Sequence, residues 1–196
     1  MKFVYVITGG PCTGKTTLIN FLNKKGFHTV EESARLLVKE GILKKEDFID
    51  PSKRDYLQRT IMNKQIELES KIPENKITFL DRGLVDGIAY YWILNLEPPF
   101  ELINACKNRN YRLIFILEQL KNFQTDELRY EDVETGKKIH EYIIKAYKMF
   151  GYKLIFVPEL SVEERCNIIL NHVKMDLKMS AVNLNLIEQS LLKWIL

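Results

Sequence analysis

Apolar and polar positions form two patterns along the chain, which are short apolar runs and longer amphipathic stretches. The apolar runs are rich in branched and aromatic residues and end at turn-forming or charged residues, as is typical of strands. Five such runs occur, at residues 3–8, 28–31, 76–80, 112–117 and 153–157. The amphipathic stretches predict helices at residues 16–25, 34–39, 53–71, 84–94, 100–107 and 133–150. The sequence Ser161-Val162-Glu163-Glu164 matches a capping box that opens a last helix.

This alternation predicts an α/β fold in which a doubly wound, parallel, five-stranded sheet lies between two layers of helices. The runs at 3–8, 112–117 and 153–157 lack a regular polar alternation, as expected for strands covered on both faces. Ligands gather at the carboxyl ends of strands in such a sheet. Glycine and charged residues follow the first four predicted strands there, at residues 9–16, 31–32, 81–82 and 118–129. The sequence therefore predicts a ligand site at this edge.

The segment after the first strand has the pattern of a phosphate-binding loop. Residues 9–16 fit G-x-x-x-x-G-K-[ST] between a predicted strand and a predicted helix. Glycine lets such a loop turn its N–H groups inward as an anion nest, and the helix start adds its positive end. We expect Lys15 to reach the β- and γ-phosphates and Thr16 to place its hydroxyl on Mg²⁺. The residues expected to bind the nucleoside triphosphate are Gly9, Gly10, Pro11, Cys12, Thr13, Gly14, Lys15, Thr16 and Thr17.

Cys12 is the unusual residue of this loop. We interpret it as a small residue that fills space, because a reactive thiol needs both a depressed pKa and access to solvent. The alternative is that the anion nest lowers the pKa of the thiol. A thiol-alkylating reagent would then label Cys12, and bound ATP would protect it.

Charged residues at the end of the third strand predict a second part of the site. The run 77–81 is an apolar strand that ends in aspartate, the simplest form of a Walker B motif. We expect Asp81 to bind the metal with Thr16 or to bind a substrate hydroxyl, and Arg82 to bind a phosphate. Asp86 lies in the first turn of the next predicted helix, where a capping role competes with substrate binding.

Two glutamates follow the second strand. Because side chains alternate along a strand, one of Glu31 and Glu32 should point inward and the other outward. An inward carboxylate could accept a proton from a substrate hydroxyl, and Arg35 lies one helical turn further on. Either Asp81 or Glu32 could be this base. The structural alternative is a solvated helix start with a Glu32–Arg35 ion pair.

A polar segment without periodicity, residues 121–132, follows the fourth strand. An arginine on a loop beside a phosphate site is the arrangement of a kinase lid. Arg129 would neutralise charge as the phosphoryl group transfers. An ordinary charged loop is the alternative that the spacing leaves open.

Composition argues against several other classes of protein. The 196 residues carry a formal charge of +3, and their 29 basic and 26 acidic side chains are interspersed, so a nucleic-acid-binding face is not expected. The three cysteines and three histidines form no ligand pattern, which argues against a zinc site or a disulfide framework. No apolar run approaches the ~18 residues of a membrane span, and the chain enters a strand without a signal peptide. We therefore expect a cytoplasmic protein.

Several segments together resemble one group of proteins. They are residues 6–11, 32–35, 79–86, 126–129, 151–152 and 157–158. Over residues 2–174 the chain resembles the small AAA-like P-loop ATPase and kinase domains grouped with the bacterial nicotinamide riboside kinase domain, which are related to thymidylate and deoxynucleoside kinases. The resemblance implies a sheet ordered 2-3-1-4-5 and Mg-ATP at Gly9 to Thr17. It also implies an acceptor near Glu32, Arg35, Asp81 and Arg82, and a lid arginine at Arg129.

Two functions are compatible with these residues. The first is a kinase that transfers the γ-phosphate of Mg-ATP to a small, nucleoside-like acceptor. The second is a regulatory ATPase or GTPase without such an acceptor, since some branches of the group bind GTP and act as regulators. A switch of the Ras type is disfavoured, because residues 117–121 lack the Asn-Lys-x-Asp motif expected after the fourth strand.

The end of the chain lies beyond this resemblance. We expect residues 1–174 to form the kinase-like domain and residues 175–196 to form an amphipathic helical extension. Its apolar face contains Leu184, Ile187, Leu191 and either Trp194 or Ile195. The extension is expected to pack on its own domain, and a homodimer contact is the alternative.

Overall fold

The computed structural model of the protein describes residues 2–120, residues 132–179 and Trp194. The strands are β1 (Phe3–Thr8), β2 (His28–Val30), β3 (Ile77–Asp81), β4 (Leu113–Leu117) and β5 (Leu154–Val157). The α-helices are α1 (Lys15–Lys24), α2 (Ser33–Lys39), α3 (Arg54–Ser70), α4 (Asp86–Ile93), α5 (Phe100–Lys107), α6 (Val133–Met149) and α7 (Val162–Met179). Two short 3-10 helices, Lys45–Phe48 and Pro51–Lys53, lead into α3.

The five strands form one parallel sheet in the order β2-β3-β1-β4-β5. The predicted α/β class and the strand order are therefore confirmed. β1 lies at the centre of the sheet, between β3 and β4. The loop that follows β1 consequently lies between the carboxyl ends of its two neighbours.

The side chains of β1 alternate between two apolar clusters on opposite faces of the sheet. Tyr5 and Ile7 pack with α1 and α7 on one face, whereas Val4 and Val6 pack with α4 and α6 on the other. All four side chains are buried. This burial on both faces explains why the sequence of β1 shows no polar alternation.

The structure shifts one boundary that matters for the site. The helix predicted from residue 84 begins at Asp86, because the N–H groups of Asp86 and Gly87 bond to carbonyls only three residues earlier. Residues 83–85 thus form a tight turn, which lets β3 continue to Asp81 and brings the Asp86 carboxylate back over the strand end.

The predicted domain boundary after residue 174 falls inside α7. Leu177 packs in the same cluster as α1, and Asp176 accepts a hydrogen bond from the Tyr5 hydroxyl at 2.8 Å. The remainder of the predicted extension, apart from Trp194, lies outside the described residues. Among the described residues, no helix has both the length and the hydropathy that a membrane span requires.

Candidate active site

The segment between β1 and α1 is a tight loop whose shape depends on glycine. Gly9 and Gly14 have φ angles of 137° and 79°, which other residues rarely adopt. A Cβ atom at Gly9 would lie 2.6 Å from the carbonyl oxygen of Leu117, so the ends of β1 and β4 could not approach as they do. Cys12 is also left-handed, with φ 58°, and its side chain is buried.

Lys15 opens α1, and its side chain folds back against this loop. Its Nζ donates to the carbonyl oxygen of Gly10 at 2.7 Å and to Oγ1 of Thr13 at 3.2 Å. Thr13 Oγ1 donates to the same carbonyl oxygen at 3.2 Å. The ammonium group is therefore buried and fixed beside the backbone of the loop, where the sequence predicts the phosphates.

Asp81 ends β3 beside the first turn of α1, and its surroundings fit a magnesium ion. Thr16 Oγ1 donates to Asp81 Oδ2 at 3.0 Å, while the buried Oδ1 has no hydrogen-bond partner among the described residues. Burial and the charge of Glu32 raise the pKa of Asp81 to about 6, against the opposing charges of Lys15 and Arg82. Carboxylate and hydroxyl oxygens are the ligands that Mg²⁺ prefers. Asp81 Oδ1 and Thr16 could therefore hold the ion at this point.

Arg82 follows Asp81 in a left-handed conformation, with φ 71°. Such a backbone costs free energy in a non-glycine residue and occurs most often at functional sites. The buried guanidinium donates from Nε to Glu32 Oε1 at 2.8 Å, and from Nη1 to Gly9 O and to Asp86 Oδ1, both at 3.2 Å. Arg82 thereby joins the phosphate loop to the residues that follow β2 and β3.

Buried polar side chains behind the Arg82 turn hold its backbone. Gln65 Nε2 donates to the carbonyl oxygen of Arg82 at 3.3 Å and to Glu69 Oε1 at 2.9 Å. Glu69 accepts from the N–H of Leu84 at 3.1 Å and from the hydroxyl of Tyr111 at 2.8 Å. The turn is thus fixed from α3 and from the connection between α5 and β4.

The buried carboxylate of Glu69 also forms an ion pair with the half-buried Arg109, whose Nε lies 2.7 Å from Glu69 Oε2. Burial raises the pKa of Glu69, against the hydrogen bonds and the charge of Arg109 that oppose this shift. Sequence reasoning missed this cluster, because its members are dispersed over three elements. The one available signal was an acidic and an amide residue on the buried side of α3.

The structure gives Asp86 a different role from the predicted contact with substrate. Its Oδ1 accepts from Thr8 Oγ1 and Arg82 Nη1, and its Oδ2 accepts from the Tyr147 hydroxyl at 2.6 Å and the Gly83 N–H at 3.1 Å. Each oxygen of the Asp86 carboxylate thus accepts two hydrogen bonds from the protein, which is the number that a carboxylate oxygen ordinarily accepts. Asp86 therefore orients Arg82 and is not left with an oxygen for substrate.

The two glutamates after β2 point in opposite directions, as the strand pattern predicts. Glu31 is exposed and pairs with Lys39 at 3.0 Å, whereas Glu32 points into the site. Glu32 accepts from Arg82 and, at 3.0 Å, from Arg35 Nε. Burial would raise the pKa of Glu32, but the charges of Arg82, Lys15 and Arg35 outweigh it and hold the pKa below its usual range. Glu32 is therefore ionised at neutral pH.

A cavity of about 460 Å³ opens beside the loop, with Pro11, Glu32 and Arg82 on its loop side. Its other apolar lining residues are Ala34, Phe48, Ile49, Leu57, Ile61, Ile93, Leu94 and Ile139. Arg35, Arg54, Gln58, Tyr90, Asp132 and Thr135 add polar groups. The volume fits a small organic molecule.

Two lining residues of this cavity were not anticipated from the sequence. Gln58 is 6% exposed and lines the cavity. Its amide carries both donors and an acceptor, so it is suited to a ligand that both donates and accepts. Arg54 at the cavity is exposed at the start of α3.

Arg129 and the rest of residues 121–131 lie outside the described residues, so the lid assignment stays a prediction. Of the aromatic residues of α4, Tyr91 is buried, but Tyr90 lines the cavity with its ring centroid 5.3 Å from the Arg82 guanidinium. Cys12 is only 4% exposed, as expected for a residue that fills space.

Comparison with known proteins places this site in a wider context. A family model described as an AAA domain matches residues 4–165. No curated protein sequence matches the chain significantly. The structure of the NadR protein in complex with NAD and AMP-PNP is similar, with a TM-score of 0.61 and 18% identity over 93% of this chain and 50% of that chain. The chain spans about half the length of the NadR structures that it matches.

Two further kinases match over nearly their whole length. Deoxyadenosine kinase from M. mycoides with bound dATP has a TM-score of 0.65 and 16% identity, over 88% of this chain and 99% of that chain. Thymidylate kinase from Candida albicans has a TM-score of 0.63 and 15% identity, over 91% of this chain and 92% of that chain. At these identities, the likeness concerns the fold.

Proposed function

The chain belongs to the AAA domain family, and we propose that it is a kinase that transfers the γ-phosphate of Mg-ATP to a small, nucleoside-like acceptor. The observation that carries the proposal is the position of Arg82. Its guanidinium lies in the wall of the cavity and is bonded at once to Gly9 of the phosphate loop and to Glu32. One cation thus contacts both the donor and the acceptor sides of the site.

On the donor side, the loop from Gly9 to Thr17 would bind the polyphosphate through its N–H groups and Lys15. Thr16 and Asp81 would hold Mg²⁺, which neutralises phosphate charge when bound. GTP is the alternative donor, since the loop would bind the polyphosphate that both nucleotides share. Arg129 keeps its predicted role as a lid arginine.

On the acceptor side, the cavity would bind a molecule with a flat ring and a hydroxyl group. Tyr90 and Phe48 offer aromatic surfaces on which a ring could stack. The Gln58 amide has a donor beside an acceptor, which matches the polar edge of a nucleobase or of a carboxamide. The solved kinases of the same fold include enzymes named for deoxyadenosine and thymidylate. These features support a nucleoside-like acceptor, although a vitamin-like ring with a hydroxyl has the same chemistry.

We assign to Glu32 the role of the base that accepts the proton of the acceptor hydroxyl. Glu32 lines the cavity, whereas Asp81 does not. The hydroxyl oxygen would attack the γ-phosphorus, its proton would pass to Glu32, and the bond from the γ-phosphorus to the β–γ bridging oxygen would break to release ADP. A carboxylate with a low pKa is a weak base, but phosphoryl transfer depends mainly on positioning and charge neutralisation. Arg82 and Lys15 supply that charge.

The proposal is tested by measuring ADP and GDP release from ATP and GTP, with a panel of nucleosides, nucleoside monophosphates and ring-containing vitamins. We expect release to require one acceptor class. Gln58→Leu should raise the KM for that acceptor while the KM for ATP stays unchanged, because Gln58 lines only the acceptor side. Steady hydrolysis that no acceptor stimulates would instead identify a regulatory NTPase.

A further inference from the structure

Arg165 is a buried arginine on the first turns of α7, far along the chain from the phosphate loop. Among the described residues, its guanidinium donates hydrogen bonds only to backbone carbonyls. Nη1 donates to Thr13 O at 2.6 Å, Nε to Pro158 O at 2.9 Å and Nη2 to Glu118 O at 3.3 Å. These carbonyls follow β1, β5 and β4, which lie side by side in the sheet.

The contact with Thr13 has a consequence for the loop. A trans peptide carries its C=O and N–H groups on opposite sides. Because the carbonyl of Thr13 points at Arg165, the N–H of Gly14 in the same peptide points away from Arg165. Gly14 leaves space for the guanidinium, because a Cβ at this position would lie 3.5 Å from Arg165 Nη1.

We propose that Arg165 is a positioning residue of the phosphate site: it fixes the Thr13–Gly14 peptide so that the N–H of Gly14 is turned toward the polyphosphate. The inference rests on the proposed nucleotide binding. It adds a residue from the last described helix to a site that the motif places entirely within residues 9–17.

The start of α7 is built to hold Arg165 in place. Ser161 and Glu164 form the predicted capping box, with Ser161 N donating to Glu164 Oε2 at 3.0 Å and Glu164 N to Ser161 Oγ at 3.3 Å. The N–H of Arg165 bonds to the carbonyl of Ser161 at 3.0 Å. The backbone that carries Arg165 is therefore fixed, and the bonds to the carbonyls of Pro158 and Glu118 hold its guanidinium beside the loop.

Arg165 also adds charge to the loop. Burial lowers its pKa, and the nearby charges of Glu159 and Glu118 oppose the shift. A guanidinium nevertheless stays protonated throughout the physiological range. A permanent positive charge thus lies next to Gly14, where a polyphosphate would be stabilised by it.

The test compares Arg165→Met and Arg165→Lys with Arg112→Met. Arg112 is a suitable control, because it forms an ion pair with Asp176 at 2.5 Å and its N–H bonds to Val4 at the amino end of β1, away from the loop. Binding of tripolyphosphate and of Mg-ATP is measured by calorimetry, at a temperature where each variant is folded by circular dichroism. Tripolyphosphate has no nucleoside and needs no acceptor, so its binding reports on the phosphate loop alone.

We expect Arg165→Met to raise the Kd of both ligands by at least about tenfold, the size of a hydrogen bond to a charged group. Arg165→Lys can keep the charge and one bond, and should give an intermediate Kd. Arg112→Met should lower Tm and leave both Kd values within about twofold of wild type. If Arg165→Met does not fold, the Arg165→Lys result decides.

Arg165 variants with a lower Tm but wild-type Kd values would overturn the inference and leave Arg165 a stabilising residue only. In that case the proposed donor site stands. If the wild-type protein binds neither tripolyphosphate nor Mg-ATP, the donor site itself is wrong and the inference falls with it.

Discussion

The phosphate loop and the Arg82 turn meet at one edge of the sheet but are built in different ways. In the loop, Gly9 and Gly14 take left-handed conformations at little cost, and Lys15 bonds to an oxygen only five residues away. In the turn, the left-handed residue is an arginine, and its carbonyl is held by Gln65 on a separate helix. The turn of the loop is specified mainly by adjacent residues, with Arg165 as a distant contact, whereas the Arg82 turn is specified by packing.

Because of this difference, we expect mutations in the loop and mutations in the turn to have different effects. Changes to the polar groups of the loop should affect ligand binding and rate with little change in stability. Changes to the supports of the turn should lower stability and function together. The following four predictions test that distinction.

Removing the support of the turn should give the largest effect. Glu69→Leu removes the ion-pair partner of Arg109, whose side chain is 23% exposed, and an acceptor of Leu84 and Tyr111, so we expect a loss of about 2–3 kcal/mol in the free energy of unfolding. Urea denaturation measures it. Glu67→Leu, at an exposed position two residues earlier on α3, is the control and should change stability little. Equal losses in both variants would contradict the proposed support.

Removing the cation of the loop should act on rate and not on stability. Lys15→Met deletes a charge aimed at the phosphates, and we expect phosphoryl transfer to fall by about 100-fold or more. Tm should change little, because Gly10 O keeps its bond from Thr13. Lys24→Met, on an exposed position of the same helix, should leave the rate unchanged. A collapse of Tm in Lys15→Met would place this lysine with the structural supports instead.

Asp81 lies where the two regions meet, and its effect on stability should depend on pH. Its pKa of about 6 in the folded protein lies above the ordinary value of 3.8, so the folded state binds the proton more tightly. Stability therefore falls as pH rises from about 4 to 6, and the ionised carboxylate is destabilising above that range. Asp81→Asn should raise stability at pH 7.5, by on the order of 1 kcal/mol, and should abolish transfer.

The gain in Asp81→Asn should shrink steadily below pH 6 and be small at pH 3.5, where the aspartic acid is mostly protonated in both the folded and unfolded states. Tm measured across pH 3.5 to 8 without ligand checks this. The exposed Glu31→Gln variant should show no such pattern. A gain that is independent of pH would show that the charge of Asp81 is not its cause.

The smallest effect should come from the backbone strain itself. Arg82→Gly and Arg82→Ala both lose the guanidinium, but glycine relieves the left-handed strain, so Arg82→Gly should be the more stable by about 1 kcal/mol. Gly41 has the same φ of 71° in open space, and Gly41→Ala should cost a similar amount. Equal stability of the two Arg82 variants would mean that the turn changes conformation when the guanidinium is lost.

The fold could be predicted because its signals are local. Apolar runs at the positions of β1, β4 and β5 and the amphipathic helices between them are adjacent in sequence, and the order of the strands came from the resemblance. The residues of the phosphate loop followed from one motif, and the inward direction of Glu32 from strand alternation. Each of these inferences needs only a few neighbouring residues.

The rest of the site could not be predicted, because it depends on contacts between distant elements. Gln58 and Tyr90 look like ordinary helix residues until α3 and α4 enclose the cavity. Asp86 was expected to bind substrate. The folded structure shows instead that its oxygens accept hydrogen bonds from Thr8 and Tyr147, which are distant in sequence. The supports of the Arg82 turn are hidden for the same reason.

The separation of 152 residues between Thr13 and Arg165 also bears on how the protein is made. The phosphate loop is synthesised early, but Arg165 follows roughly ten seconds or more later at the usual rate of translation. A nascent chain would carry the complete motif for that time without the residue that we propose fixes its Thr13–Gly14 peptide. Nucleotide would therefore bind at full affinity only once α7 has left the ribosome, as a late event in the folding of the protein.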